Sequence, residues 1–128
     1  MLDHLSLGCR KLPASAAFYR QALAPLGYRL QRETADEAVF GVGEDWSLFL
    51  YQAAATDESL VGARMHVAFR ADSRLAVERA YAEALVAGAR EVIGREPDER
   101  PQFGADYFGC LFHDPDGHTL ELLTRAAR

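Results

Sequence analysis

A displacement of 62 positions lays one half of this chain on the other: His4 falls on His66, Leu5 on Val67, Leu7 on Phe69, Tyr19 on Tyr81 and Leu23 on Leu85. Self-similarity at a fixed offset identifies an architecture before any single residue does. Each half reads β-α-β-β-β. Neither half can bury both its helix and its sheet face alone, so the repeat predicts two modules packed side by side around one shared core. A length of 128 residues fits one such domain, with module one over 1–52, a linker over 53–63 and module two over 64–128.

The local patterns support that division. Residues 2–8 form a short apolar run ending at Gly8, followed by a helical spacing of Ala16, Ala17, Tyr19, Ala22 and Leu23 that begins near Pro13 and stops at Pro25 and Gly27. The period then changes to two over 28–33, 38–42 and 46–51, which reads as an antiparallel run of strands. The pattern restarts with a strand over 65–69 and a helix over 75–86 closed by Gly88. Strands over 91–93, 107–112 and 119–124 complete the second half, the last two joined by a hairpin at Asp114-Pro115-Asp116-Gly117. Residues 96–104, with two prolines and several charges, read as a loop over the mouth of a site.

Composition excludes several classes. A net charge of -5 with scattered Lys and Arg offers no basic field for a nucleic-acid backbone. No apolar run approaches the length that spans a bilayer, and the N-terminus does not read as a signal segment, so the sequence predicts a cytoplasmic protein without a membrane partner. Cys9 and Cys110 each lie in an apolar run and read as small core residues. His113 and His118 bracket the hairpin turn and read as solvated, as do Arg70, Arg74 and Arg79 near the second helix.

A lone histidine on a strand is more often structural than a ligand. Two at the same position of two modules are different, because the pseudo-twofold turns both side chains toward one inner surface where a metal can sit. Imidazole suits borderline divalent ions, and a carboxylate beside two of them leaves coordination positions open for substrate. Glu121, among leucines on the closing strand, is costly to bury without a partner. On pattern alone it could equally point to solvent.

A His on the opening strand, a His opening the second module, Phe18-Tyr19 on the first helix and the closing run from Tyr107 through Asp114-Pro115-Asp116-Gly117 to Glu121 together resemble the glyoxalase, bleomycin-resistance and extradiol-dioxygenase (vicinal oxygen chelate) superfamily. The likeness covers essentially the whole chain. It implies an α+β fold of two βαβββ modules forming a cup-shaped mixed sheet with helices on the outside. It also implies a homodimer, a small-molecule substrate, and one divalent metal (Fe, Zn, Ni, Co or Mn) held by His4, His66 and Glu121. The activity implied is that of a metal-dependent lyase or isomerase or an extradiol-type dioxygenase, binding substrate through vicinal oxygens, with Glu121 and Tyr107 in catalytic roles.

The chain departs from the family pattern in two places. Overlaying 46–52 on 118–124 sets Phe49 opposite Glu121, with Tyr51 next on that face, where many members carry a fourth ligand. The place ten residues before Glu121, often tyrosine, holds Leu111, and Tyr107 lies four residues earlier on the same strand face. Phe49, Tyr51 and Leu111 are accordingly expected to contact substrate. A second reading is a metal-free protein that sequesters an aromatic or antibiotic ligand in a cleft lined by these and neighbouring aromatics.

Overall fold

The structure, a computed structural model, describes residues 1–56 and 59–127. Residues 57 and 58 of the expected linker lie outside the described residues. Module one runs β1 (Leu5–Cys9), α1 (Leu12–Leu23), β2 (Tyr28–Glu33), β3 (Glu37–Val42) and β4 (Leu48–Gln52). Module two runs β5 (His66–Arg70), α2 (Arg74–Val86), β6 (Arg90–Glu91), β7 (Asp98–Glu99), β8 (Phe108–His113) and β9 (Thr119–Thr124).

Both helices start and stop where their residues demand. Pro13 occupies the first turn of α1, and after a short 3-10 turn Gly27 ends the segment at φ +87°, a conformation open to glycine at little cost. Ser73 caps α2 by accepting a hydrogen bond from the Ala76 amide at 3.1 Å.

The sheets repeat each other. Strand order is β1-β4-β3-β2 in one and β5-β9-β8-β6 in the other, where β7 also pairs with β8. In each, the opening strand runs parallel to the closing strand and the other pairs are antiparallel. The registers correspond: Ser6 pairs with Phe49 as Ala68 pairs with Glu121. Phe49 thus stands in module one where Glu121 stands in module two. The main departure in element order is β7, a short strand inside the 96–104 segment that reads as a loop, while the expected 91–93 strand is found as β6, over Arg90–Glu91.

The α+β architecture of two βαβββ modules with mixed sheets is the one the sequence implies. The two sheets share no strand pairing and are not closed into a barrel. The helices pack against each other, each also backing its own sheet. The reason lies in α1, whose buried set of Leu12, Ser15, Ala16, Phe18, Tyr19, Ala22 and Leu23 is broader than one sheet can cover. Phe18 reaches across to Phe112 of β8, with ring centroids 6.5 Å apart, and Gln21 of α1 donates to Glu83 of α2 at 2.8 Å. Each sheet is left with a face turned away from the helices. In module one it carries Ser6, Phe49 and Tyr51; in module two it carries His66, Ala68, Leu111 and Glu121.

A polar clasp joins the modules at the 114–118 turn. The buried Asp114 carboxylate accepts from the amides of Asp116 and His118 at 2.9 Å and from the Tyr19 hydroxyl. Asp116 accepts from the Arg10 amide at 2.9 Å and the Ser15 hydroxyl at 3.0 Å, tying the turn to the entry and first turn of α1. His118 Nε2 donates to the Gly8 carbonyl at 2.8 Å. His118 is therefore buried, contrary to its reading as a solvated turn residue, because the turn docks on β1 and is not free in water. His113 is half-buried, its Nδ1 3.2 Å from Thr119 Oγ1. Arg74 likewise is not simply solvated: it pairs with Glu99 at 2.6 Å and lies over the Phe108 ring.

Cys9 and Cys110 are fully buried, and burial pushes their thiols up to about 11 and about 12, so both behave as apolar core groups. Among the described residues no helix is long and apolar enough to cross a membrane.

Candidate functional site

The open face of the second sheet forms one wall of a cavity of about 360 Å³, lined by His66, Arg95, Phe103, Tyr107, Leu111, Glu121 and Arg125. Strand pairing accounts for the grouping. Alternation along β9 sends Leu120, Leu122 and Thr124 into the core and leaves Thr119, Glu121 and Leu123 on the opposite face. Glu121 faces Ala68 on one side and Leu111 on the other, so both neighbours at its own level are short or apolar. His66 is one pair further along β5, opposite Thr119.

Glu121 is the centre of the polar group. Its Oε1 lies 3.3 Å from His66 Nε2, and its Oε2 accepts a hydrogen bond of 2.9 Å from the Tyr107 hydroxyl. The Glu121 side chain is only 14% exposed against 51% for His66, which decides between the two patterns open from sequence: the carboxylate points away from the helix but into a cavity and not into bulk water. Desolvation, followed by the hydrogen bond to Glu121 and its charge, pushes the Tyr107 phenol up to about 12. The phenol therefore stays protonated and donates throughout the neutral range.

Gly109 makes that hydrogen bond sterically possible. Two residues before it, Tyr107 folds its ring back over the strand, and a Cβ on residue 109 would lie 2.5 Å from the Tyr107 hydroxyl oxygen and 2.7 Å from the Leu122 carbonyl. Side chains two apart share one face of a strand, and only an absent side chain between them and the sheet lets the ring lie flat enough to reach β9.

The expected site residues fall into two groups. His66, Glu121, Tyr107 and Leu111 meet at this cavity. His4, the residue before β1, and Phe49 and Tyr51 of β4 belong to the other module. His4 Nδ1 is 2.7 Å from the Asp3 carboxylate, and its ring lies against Phe49 with centroids 4.9 Å apart. Phe49 stacks on Tyr51 at 6.1 Å and meets Trp46 edge-on at 6.2 Å. One module thus presents an aromatic surface and the other a polar one. Among the described residues, no three His, Cys, Asp or Glu side chains of one chain are gathered as metal donors.

The His66–Glu121 pair has the spacing of two ligands on one ion. Two donors about 2.1 Å from one metal and about 100° apart stand roughly 3.2 Å from each other, which matches the 3.3 Å between Nε2 and Oε1. The pair fits as two neighbouring ligands, and no third donor from the same chain accompanies it among the described residues.

Arg95, Phe103 and Arg125 complete the rim. Arg95 lies over the Phe103 ring at 6.0 Å and Arg125 over the Tyr107 ring at 5.6 Å, while Arg125 Nη1 donates to the Phe103 carbonyl at 2.8 Å. Phe103 sits in the 96–104 segment expected at the mouth. The two arginines were not singled out in the sequence, since one precedes that loop and the other follows the last strand, where no periodicity marks a facing direction. The segment is anchored by buried Arg100, which donates to the carbonyls of Gly94, Glu96, Asp98 and Gly109 at 2.7–3.3 Å.

Comparison with known proteins places this arrangement. A glyoxalase/bleomycin-resistance protein from Albidiferax ferrireducens T118 is similar to the chain at 20% identity and a TM-score of 0.85, covering 98% of this chain and 99% of that one. A glyoxalase-related enzyme from Fulvimarina pelagi, also at 20% identity, has a TM-score of 0.74 over 97% of this chain and 87% of that one. The fosfomycin resistance protein FosX from Mesorhizobium loti is 22% identical, with a TM-score of 0.68 over 97% and 91%. At such identities the likeness speaks for the fold alone. No curated protein matches the sequence. The family model of the Glyoxalase/Bleomycin resistance protein/Dioxygenase superfamily matches residues 1–122, and the chain belongs to that superfamily.

Proposed function

We propose that the chain is a metal-dependent enzyme of this superfamily, a lyase, an isomerase or an extradiol-type dioxygenase, that binds a small substrate through two adjacent oxygens. The observation that carries this reading is the placement of His66 Nε2 and Glu121 Oε1 3.3 Å apart on the wall of a substrate-sized cavity. His66 and Glu121 would hold a divalent ion together with His4, and since His4 lies in the other module of the same chain, the third ligand comes from a second copy in a cytoplasmic homodimer.

When bound, such an ion supplies Lewis-acid stabilisation of negative charge developing on a substrate oxygen. The chain's own residues do the rest. Tyr107 fixes one oxygen of Glu121 and so aims the other at His66. Phe103, Tyr107 and Leu111 keep water from the cavity, and Phe49 and Tyr51 of the second copy close it from the facing side. Glu121 is the one carboxylate within the cavity and the natural acceptor for a substrate proton.

Elemental analysis of protein purified without a metal-affinity tag tests the reading. One ion per chain is expected, lost in His4→Ala, His66→Ala and Glu121→Gln. Mixed dimers of His4→Ala and His66→Ala chains should recover metal at one of their two sites, which a site within one chain cannot do. A chain that takes up no zinc, nickel, manganese or anaerobic ferrous iron would defeat the metalloenzyme reading. The stacked Phe49–Tyr51 pair beside Trp46, all on an open sheet face, would then favour the second reading, a protein that sequesters an aromatic ligand.

A further inference from the structure

The cavity holds more positive charge than its neighbours balance. The ion pairs among the described residues include Asp3–His4, Arg32–Glu37, His66–Glu121 and Arg74–Glu99. Neither arginine of the cavity appears in them. Arg95 is held only by the face of Phe103, and its Nε is shut away from solvent with no hydrogen-bond acceptor. Arg125 spends Nη1 on the Phe103 carbonyl and keeps its other nitrogens unbonded among the described residues. In a chain of net charge -5, two guanidinium groups without carboxylate partners meet at one small cavity.

The Arg95 Nε–H, withheld from both water and acceptors, carries a cost, and an oxyanion that offers lone pairs in the guanidinium plane relieves it. The remaining lining is apolar, from Phe103, Leu111 and the Tyr107 ring, and a volume of about 360 Å³ admits one ring or a short branched chain. Resting on the reading of this cavity as the substrate site, we propose that its substrate is a small organic anion with an apolar body. Its carboxylate is gripped by Arg95 and Arg125, leaving its other oxygens to face His66 and Glu121. The same grip orients the molecule, since reversing it would set the anion against Glu121.

Benzoate and the neutral benzamide, nearly equal in shape, serve as probes. Binding is measured by calorimetry at low ionic strength on protein stripped with EDTA, so that no ion competes for the carboxylate. Benzoate is expected to bind at least about tenfold more tightly than benzamide, as a charge-assisted pair of hydrogen bonds implies. Arg95→Gln and Arg125→Gln should each remove most of that preference. Equal affinity for the two probes, no binding of either, or a preference that survives both substitutions overturns the proposal. Zinc uptake measured on the same wild-type preparation separates the two readings. A benzoate preference without zinc uptake leaves the anion grip standing and removes the metal site. Zinc uptake with equal binding of acid and amide does the reverse.

Discussion

Gly109 governs how closely Tyr107 approaches Glu121. A methyl group there meets both the phenol oxygen and the Leu122 carbonyl at less than ordinary contact distance, so Gly109→Ala is expected to cost about 1–3 kcal/mol, as overpacking does. Urea denaturation measures that loss, and a variant as stable as the wild type would mean that the ring has room to move. Tyr19→Phe tests the clasp in the same units. It deprives the buried Asp114 carboxylate of its hydroxyl donor, with an expected loss of about 1–3 kcal/mol. Tyr107 was legible from sequence because it shares strand parity with Leu111, the residue that pairs with Glu121 across the hairpin. Arg95 and Arg125 were not, since a side chain beyond the end of a strand has no period to report its direction.

Among the elements, α1 depends on residues distant in sequence. Its N-cap residue makes no side-chain cap, and Gln52 takes that part by accepting from the Leu12 amide, while Asp116 holds the approach to the helix by accepting from the Arg10 amide, at 2.9 Å each. Asp116→Ala removes the acceptor of the Arg10 amide and the Ser15 hydroxyl and is expected to destabilise the protein by about 1 kcal/mol, the net worth of a typical hydrogen bond, although it lies 101 positions from Ser15. An unchanged urea midpoint would show that water replaces it. This dependence also explains what pattern reading missed. The hairpin at 114–117 was plain from Pro115 and Gly117, but its docking on β1 and α1 left no trace in local sequence, so His118 looked like a solvated flank. The strands and helices themselves were readable to within a few residues, because alternation and capping are local. The packing of α1 on α2, which keeps the sheets apart, is a choice between two ways of covering the same apolar face.

For the whole molecule, the buried Asp114 sets a dependence on pH. Burial raises its carboxyl above the ordinary value, with the Tyr19 and His118 hydrogen bonds opposing only in part. A carboxyl raised by folding is favoured in its neutral form. Its contribution to stability is full below the unfolded value and is lost as pH climbs through the folded one. Relative to Asp114→Asn, which stays neutral throughout, the wild type should lose stability as pH rises through the weakly acidic range. Paired urea titrations across that range check the sign, and a difference that grows more favourable to the wild type with pH would reverse it. The repeat at an offset of 62 was the most readable whole-molecule feature, because duplication leaves its mark on every element.

The clasp has a consequence for recombination. Module one supplies Gly8, Arg10, Ser15 and Tyr19, and module two supplies Asp114, Asp116 and His118. Neither set is satisfied by its own half. A chimera that joins one half of this chain to the complementary half of a relative inherits a lock without its key unless it carries counterparts of the Ser15, Tyr19, Asp114, Asp116 and His118 side chains, Gly8 and Arg10 contributing only backbone groups. Exchange of halves is therefore limited less by the crossover point in the chain than by five side chains, two before it and three after.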